Sequence, residues 1–359
     1  MKLKIKAVLL AFSVALCGGC GSEQPRKEVT FTDGMQKDLT EKMKVDAQFV
    51  YPQSCKNGIG LQAELGDKLF WDRQDEIAEL LFQNRTVVNE YTDDYGSEKY
   101  KTYEAGEDGA MLLISSNNYL TYSTDQAVYI NNVLSFDTRF DDYNGDKFQK
   151  RTDLDFMPQK EAWEKVSMIL DELGVETSET VTCFVMDHGT MEEEEEAAIA
   201  RAISEDTKIP MEKAQWTEED DCYYFKTRAA WKGYTVLPVM MGEGYDEDNI
   251  SVVYDKNGIV LLYINGYYPL KDNREIILKT PEEAVKRLEE YLKNIISDDF
   301  YEVRKIALCQ KVMRMNSGSH TAEIVPVWEC SVQVKSGDPS DRGYIQKIYF
   351  RADTLEVAI

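Results

Sequence analysis

Residues 280–296 of the chain read TPEEAVKRLEEYLKNII and contain its clearest helix signal. The opening threonine, the proline and the glutamate at the third helical position form a capping box, which satisfies free amides of the first turn. Val285, Leu288, Leu292 and Ile295 recur every three or four residues, so they line one face. This stretch predicts an amphipathic helix that buries its apolar side against a sheet.

The same order of a helix followed by strands occurs three times. Two further helices are predicted at 71–82 and 158–173, and Gly174 stands where a left-handed helix cap belongs. Runs rich in β-branched and aromatic residues predict strands at 44–51, 86–91, 99–103, 111–115, 119–122, 180–186, 222–230, 250–254, 259–264, 302–312, 322–334 and 344–350. This order predicts an α+β fold of repeated units, each one helix packed on an antiparallel sheet.

The expected organisation follows from these elements and from the polar stretches between them. Along the chain it comprises a signal peptide at 1–19, a tether at 20–40, a first α+β unit at 41–135, a linker at 136–157, a second unit at 158–270 and a third at 271–359. A chain of 359 residues is long enough for two or three domains.

The N-terminus indicates export from the cytoplasm. Early lysines precede an apolar run at 7–16, which is too short to span a bilayer because a transmembrane helix needs about 20 apolar residues. Gly18 and Gly19 before Cys20 resemble the lipobox of bacterial lipoproteins, with Cys17 where that pattern prefers an aliphatic residue. The resemblance implies that Cys20 carries fatty acid such as palmitate, at the extracellular face of the cytoplasmic membrane.

Composition and charge limit the partners of the protein. The chain has 65 acidic and 41 basic residues and a formal charge of −24, which disfavours nucleic acid and anionic lipid head groups. Hydrophobic residues make up 43% of the chain, which is enough to build packed cores. Either a solvated acidic surface or a specific site for a cation or basic ligand accounts for the charge.

The sequence contains no recognisable catalytic or metal-binding motif. His188 and His320 stand beside turn residues, without a G-x-S-x-G elbow or an H-E-x-x-H zinc motif. We therefore predict no catalytic residue, no metal site and no cofactor. Residues 142–146, DYNGD, resemble a calcium-binding EF-hand loop, but Lys147 replaces its turn glycine and Asp153 replaces the usual bidentate glutamate. A solvated linker is the preferred interpretation.

Acidic and aromatic runs have competing interpretations. Five glutamates at 192–196 predict either a surface helix with acids in its first turn or a docking site for a basic partner. Aromatic runs at 223–225 and 263–268 predict either buried strand residues or a face that stacks on carbohydrate. The exposed fraction of the rings distinguishes the last two.

Five cysteines follow Cys20, and none forms a C-x-x-C pair. Cys183 and Cys309 fall on the first predicted strand after their helices, and Cys222 and Cys330 fall on the next strong strand. Neighbouring strands can bring two Cα atoms to the roughly 5.5 Å that a disulfide needs. One prediction is therefore a bridge within each pair, and the other is that all are buried free thiols.

The last third of the chain resembles a family of regulators. Helix 281–296, the strand opening IVPVW at 324–328 and the closing hairpin are similar to the C-terminal halves of the extracytoplasmic YycH/YycI proteins. Those proteins control a cell-wall sensor kinase through protein contacts. The mature chain also resembles uncharacterised lipoproteins of Gram-positive gut bacteria.

Together these features predict a membrane-anchored, non-catalytic lipoprotein that acts as a protein-interaction or regulatory module. It presents sheet surfaces and edges to a protein partner at the membrane or cell wall. The alternative prediction is a lipoprotein that binds cell-wall material or saccharide. The sequence does not distinguish the two by any motif.

Overall fold

The fold is described from a computed structural model. The described residues are 30–66, 70–83, 85–96, 98–106, 108–135, 142–149, 153–238, 248–295, 298–316, 321–336 and 343–358. The predicted signal peptide, Cys20 and His320 lie outside them.

The three helices that apolar spacing and caps predict are present, and the described residues contain further helices that they did not predict. The side chain of Thr280 accepts from the Glu283 amide at 3.2 Å, and the Glu283 carboxylate accepts from the Thr280 amide at 2.8 Å. Gly174 caps its helix with φ +75°. None of the described helices is long and apolar enough to cross a membrane. They are α1 (Gln74–Phe82), α2 (Gln126–Val133), α3 (Gly145–Phe148), α4 (Gln159–Glu172), α5 (His188–Ser204) and α6 (Pro281–Lys293).

Strands dominate the described residues and include every strand that the sequence predicts. They are β1 (Thr30–Asp38), β2 (Met43–Pro52), β3 (Ile59–Leu65), β4 (Val87–Asp94), β5 (Lys99–Ala105), β6 (Met111–Ser115), β7 (Tyr119–Ser123), β8 (Asp153–Leu154), β9 (Met157–Pro158), β10 (Thr177–Met186), β11 (Cys222–Trp231), β12 (Tyr234–Leu237), β13 (Ile250–Asp255), β14 (Gly258–Asn265), β15 (Leu270–Ile277), β16 (Phe300–Asn316), β17 (Thr321–Lys335) and β18 (Tyr344–Arg351). The fold is therefore mixed α+β, as predicted.

β1 corrects the predicted tether at 20–40. This strand pairs antiparallel with β2 along its length, from Thr30 opposite Pro52 to Asp38 opposite Lys44. Its polar composition resembles a linker, but an edge strand has one free side and needs few apolar side chains. The tether prediction is wrong for residues 30–38.

One large sheet has two halves joined by β12. The first half contains β1, β2, β16, β17 and β18, and the second contains β10, β11, β13, β14, β7, β6, β5 and β4. β12 lies antiparallel to the end of β11 and parallel to β16, so it links them. β3 and β15 form a separate two-stranded ribbon, and β8 and β9 form another.

The first and third predicted units share the first half of the sheet. β2 lies parallel to β16, and their register runs from Met43 opposite Tyr301 to Val50 opposite Ala307. β7 of the first predicted unit likewise pairs with β14 of the second. Strands from different predicted units are thus direct neighbours, and the boundaries at 135 and 271 do not separate sheets.

The two faces of the sheet carry different helices. α1, α4 and α6 pack on one side, the inner face, and form the main core with side chains such as Tyr122 and Leu262. α2 and α5 pack on the opposite side, the outer face, against Tyr224, Val253 and Leu261. This outer cluster contains no side chain of β4, β5, β6 or β7, so those strands are not part of the second core.

The cysteines occupy the predicted strands, but they do not face one another. The facing residues are Cys183 with Phe225, Met186 with Cys222, Cys309 with Val327, and Ile306 with Cys330. Each pair is three positions out of register, about 10 Å along a strand, and its two thiols point to opposite faces. The register therefore contradicts both predicted bridges, and the thiols are free.

We expect the free thiols to react slowly in the folded protein. Burial raises the pKa of Cys183 and of Cys309 to about 12, so very little of the reactive thiolate is present near pH 7. After denaturation without reductant, intact-mass spectrometry should find five alkylated thiols besides Cys20. A single alkylated thiol would instead indicate two disulfides.

Candidate functional site

The outer face of the second half of the sheet carries a row of tyrosines. Alternation along each strand places Tyr119 and Thr121 outward while Leu120 and Tyr122 point into the core, and the strand pairing carries this face across to β4. We call this surface the tyrosine face. Its rings are Tyr91, Tyr95, Tyr100, Tyr119 and Tyr263.

Edge-on contacts and hydrogen bonds hold the rings of the tyrosine face. The ring centroids of Tyr119 and Tyr263 are 5.4 Å apart, and those of Tyr95 and Tyr100 are 5.7 Å apart. The Tyr91 hydroxyl donates to Glu104 at 3.2 Å. Burial and then a hydrogen bond to Glu98 raise the pKa of Tyr100 to about 12, so this hydroxyl stays neutral and can donate. The rings are therefore positioned before any ligand arrives.

β4 forms an open edge beside the tyrosine face. It pairs with β5 on one side, and no strand of the described residues pairs with its other side. Val88 is 64% exposed and Tyr91 is 39% exposed, which is unusual for apolar and aromatic strand residues. The charged residues of β4 are all acidic: Glu90, Asp93 and Asp94. This edge combines exposed apolar surface with negative charge.

The aromatic runs singled out in the sequence are mostly core. Tyr223, Tyr224 and Phe225 are buried on β11, and Tyr267 and Tyr268 are buried beyond β14. Tyr224 lies on the outer face but is covered by α2 and α5, so only Tyr263 of these runs belongs to the tyrosine face. The other rings of the tyrosine face escaped the sequence analysis, because alternation identifies two faces of a strand but not which of them is covered.

His188 is held in place at the start of α5, directly after the N-cap residue Asp187. It is the first residue of α5, and Asp221 Oδ1 accepts its backbone amide at 2.7 Å and lies 2.8 Å from its ring Nδ1. The hydrogen bond to Asp221 raises the pKa of His188. Among the described contacts, the ring has no serine, threonine or cysteine partner that it could activate as a nucleophile.

The loop that resembles an EF-hand uses its polar groups within the protein. Asn144 Oδ1 accepts the Ser135 amide at 2.8 Å, and its amide nitrogen donates to Val133 and to Glu194. Asp146 accepts from Tyr143. Among the described residues, no three histidine, cysteine, aspartate or glutamate side chains converge as metal ligands.

The run of five glutamates is not the first turn of a surface helix. α5 begins at His188, so the run lies in its second turn, and Glu194 and Glu195 are only 5% exposed. Glu194 pairs with Lys147. Glu195 accepts from Trp216 Nε1 at 3.0 Å and from the Lys213 amide at 2.9 Å. The interpretation as an exposed, over-charged first turn is wrong for these two residues.

A polar groove lies at the end of the second half of the sheet, where α2 begins and β13 turns into β14. We call it the Arg85 groove, and its cavity has a volume of about 350 Å³. A smaller pocket of about 140 Å³ shares Arg85, Asn257 and Ile259 with the lining of the groove. The groove is further lined by Asp108, Gln126, Tyr129, Lys213 and Asp255.

A buried ion cluster lies on the outer face of the first half of the sheet. Glu329 is 1% exposed, and its carboxylate accepts from Arg228 Nη1 at 3.1 Å and from Lys347 Nζ at 3.0 Å. Burial alone would raise the pKa of Glu329, but these two cations lower it to about 2. No sequence motif marks this cluster, since its members come from three strands.

Comparison with known proteins identifies the fold and no activity. No protein family and no curated protein matches the sequence. A solved structure of an uncharacterized protein from Eubacterium rectale ATCC 33656 is similar to this chain, with a TM-score of 0.66 and 16% sequence identity. The match covers 90% of this chain and 92% of that chain. At this identity the likeness shows the fold alone.

Proposed function

We propose that this protein is a non-catalytic interaction module, held by lipid on Cys20 at the extracellular face of the cytoplasmic membrane. Its partner is a protein with a basic, extended segment that binds the tyrosine face and pairs with β4. The observation that carries the proposal is this half-exposed row of tyrosines, which ends at an open strand edge.

The rings of the tyrosine face favour a protein as the partner. Tyrosine supplies a large contact area at a low cost in side-chain entropy, and aromatic residues are enriched at the centres of protein interfaces. Tyr95 is 72% exposed although its ring could bury much apolar surface. Because neighbouring rings already hold Tyr100 and Tyr119, these two lose little freedom on binding.

The β4 edge specifies the kind of segment that binds. An extended peptide can add to an open edge through main-chain hydrogen bonds, with its side chains contacting alternate positions. The acidic side chains Glu90, Asp93 and Asp94 attract a basic segment and repel an acidic one. Pairing would also remove Val88 from water.

Two wider features support a regulatory lipoprotein. The resemblance of the last third to the YycH/YycI proteins implies action through protein contacts. The proposal also includes an internal repeat. α1, α4 and α6 lie on one face of the sheet, and in each of the two cysteine pairs that follow α4 and α6 the cysteines are three residues out of register. We propose that the three helix-and-sheet segments are repeats of one unit.

The anchor predicts a specific loss on substitution. Cys20→Ala should abolish metabolic labelling with an alkyne fatty acid and leave an unprocessed or released protein, because the lipid acceptor is removed. Cys17→Ala is the matched control and should keep the label. Labelling of Cys20→Ala at the wild-type level would place the anchor elsewhere.

The partner proposal is tested by site-specific photocrosslinking in cells. A photoreactive phenylalanine at Tyr91 or at Val88 should capture one and the same protein. Met168 on α4 is the control, since it is 63% exposed on a helix of the inner face. A synthetic strand peptide with alternating lysine should compete with the adduct, and the same peptide with glutamate should not.

The outcomes separate the two predicted functions. Adducts at Tyr91 and Val88 that the lysine peptide removes, with none at Met168, support the proposal. Equal adducts at all three positions, or competition by both peptides alike, would contradict it. Glycan binding that Tyr91→Ala abolishes, without any protein adduct, would instead support the saccharide alternative at this face.

A further inference from the structure

The pairing of β1 with β2 fixes where the chain comes from the proposed lipid anchor. Thr30 opposes Pro52, so β1 begins where β2 ends. A short 3-10 turn, Gln53–Asn57, follows β2 directly and contacts β1. Ten residue steps separate Cys20 from Thr30, and ten extended residues span at most about 35 Å. A lipid on Cys20 therefore keeps this end of β1 within about 35 Å of the bilayer surface.

The ribbon of β3 and β15 ends beside the same 3-10 turn. Gly58 follows the turn with φ +79°, and its carbonyl accepts the Leu278 amide at 2.9 Å. Ile59, the first residue of β3, faces Ile277, the last residue of β15. These contacts place the two isoleucines next to the turn. We call the turn and this isoleucine pair together the anchor-side tip.

The two strands of the ribbon differ in what lies beyond them. The Leu61 amide on β3 donates to the Tyr234 hydroxyl at 2.9 Å, and the Leu61 carbonyl accepts from Gln310 Nε2 at 2.7 Å. Both partners belong to the large sheet, so β3 attaches the ribbon to the body of the protein. Among the described residues, β15 pairs with β3 alone. β15 is therefore the solvent-side strand of the ribbon.

The isoleucine pair of the tip is unusually exposed. Ile277 is 82% exposed, the highest value of any large hydrophobic side chain among the described residues, and Ile59 is 42% exposed. Single exposed apolar side chains are common, but these two face each other across the ribbon and form one apolar surface. Removal of this surface from water would be favourable.

The tip lacks the negative charge of the rest of the protein. Residues 47–63 and 276–281 contain no aspartate or glutamate, although the whole chain has 65 acidic residues in 359. The exposed side chains of the 3-10 turn are uncharged or basic: Gln53, Ser54, Lys56 and Asn57. Such a surface does not repel the phosphates of lipid head groups, as an acidic surface would. Apolar side chains with uncharged or basic neighbours are typical of segments that bind a lipid interface.

We infer that the anchor-side tip is a second contact with the membrane, in which Ile277 and Ile59 enter the boundary between head groups and acyl chains. The inference rests on the proposed anchor at Cys20, which brings the tip to the lipid. Two isoleucines bind a bilayer weakly, but the tether makes their binding intramolecular and so raises their effective concentration. The two contacts together would hold β1 nearer to the lipid than β4, which lies at the opposite edge of the sheet.

The contact is tested with the mature chain on phosphatidylcholine vesicles. Cys20→Ala protein is held by an N-terminal hexahistidine on a nickel-chelating lipid, so the result does not depend on fatty acylation. Ile277→Cys is labelled with nitrobenzoxadiazole, and the high exposure of this position makes the change compatible with folding. On vesicles its emission should rise several-fold, shift to shorter wavelength and be quenched by a lipid that carries a nitroxide near the head group.

A far label and a second substitution locate the contact. Tyr95→Cys with the same label is the matched control, because Tyr95 is 72% exposed beside β4 and should keep its aqueous emission. Ile59→Ser, added to the labelled Ile277→Cys protein, should reduce the quenching at least about twofold because it removes part of the apolar surface.

Aqueous emission from position 277 on vesicles, or equal quenching at positions 277 and 95, would overturn the inference. Failure of the proposed anchor shows in a different measurement, as wild-type protein without fatty-acid label. The two failures are therefore distinguishable.

Discussion

Glu329→Gln is expected to lower the free energy of unfolding by about 3 kcal/mol at pH 7. The carboxylate is 1% exposed and is the shared acceptor of Arg228 and Lys347. The glutamine keeps the shape but removes the negative charge, which leaves two cations close together with one fewer counter-charge. Breaking a buried ionic cluster on one side is costly because the remaining charges are still withdrawn from water.

The free energy of unfolding that Glu329→Gln loses should become smaller as the pH falls. The folded pKa of about 2 lies below the ordinary value of 4.5, so the ionised carboxylate stabilises the fold fully above about pH 4.5. This contribution disappears as the pH falls from 4.5 toward 2, because the unfolded carboxylate binds a proton in that interval and the folded carboxylate does not. The difference in stability between wild type and Glu329→Gln should therefore shrink over that interval.

Urea unfolding curves at several pH values measure this effect. Glu323→Gln is the matched control, since it lies on the same strand, is 60% exposed and approaches Arg351 only to 3.9 Å. It should change stability by no more than about 0.5 kcal/mol. A Glu329→Gln protein as stable as this control at pH 7 would show that the cluster contributes little.

Glu195→Ala is expected to destabilise the protein by about 2 kcal/mol and to loosen the segment around Trp216. Its carboxylate accepts two donors, the indole Nε1 of Trp216 and the amide of Lys213. Trp216 is 5% exposed, so its indole donor would lose its partner without gaining water. Leaving buried donors unsatisfied costs more than losing an exposed hydrogen bond.

The same glutamate run supplies the control for Glu195→Ala. Glu193 is exposed and lies two residues before Glu195 on the same helix. The free energy of unfolding of Glu193→Ala should stay within about 0.5 kcal/mol of wild type. Hydrogen exchange at residues 211–216 should accelerate in Glu195→Ala only. Equal effects of the two substitutions would mean that the run acts through its total charge.

Local rules predict the elements of this fold well. The capping box at Thr280 and the left-handed Gly174 fix the ends of α6 and α4, because both depend on residues within one turn of the helix. β15 escapes prediction for the opposite reason. Its sequence LKDNREII is mostly polar and exposed, and its strand pairing comes from β3, which lies far away in the chain.

Local rules do not predict sites whose residues come from distant strands. Arg85 and Asp108 meet across 23 positions, and Arg228 and Glu329 across 101, with no motif to join them. The predicted disulfides are wrong for a related reason. The sequence predicted correctly which strands are neighbours, but it did not predict their register, and the register separates the thiols. Exposure of Tyr91 likewise depends on which helices cover each face.

The parallel pairing of β2 with β16 also bears on how the chain reaches its folded state during export. Lys44 bonds to Glu302, 258 positions later, so β2 acquires its inner neighbour only when nearly the whole polypeptide has emerged. Contacts of such long sequence separation form late and slowly. On the proposed anchoring, the chain would be tethered to the membrane by its N-terminus while β2, paired only with β1, waits for the last strands to arrive.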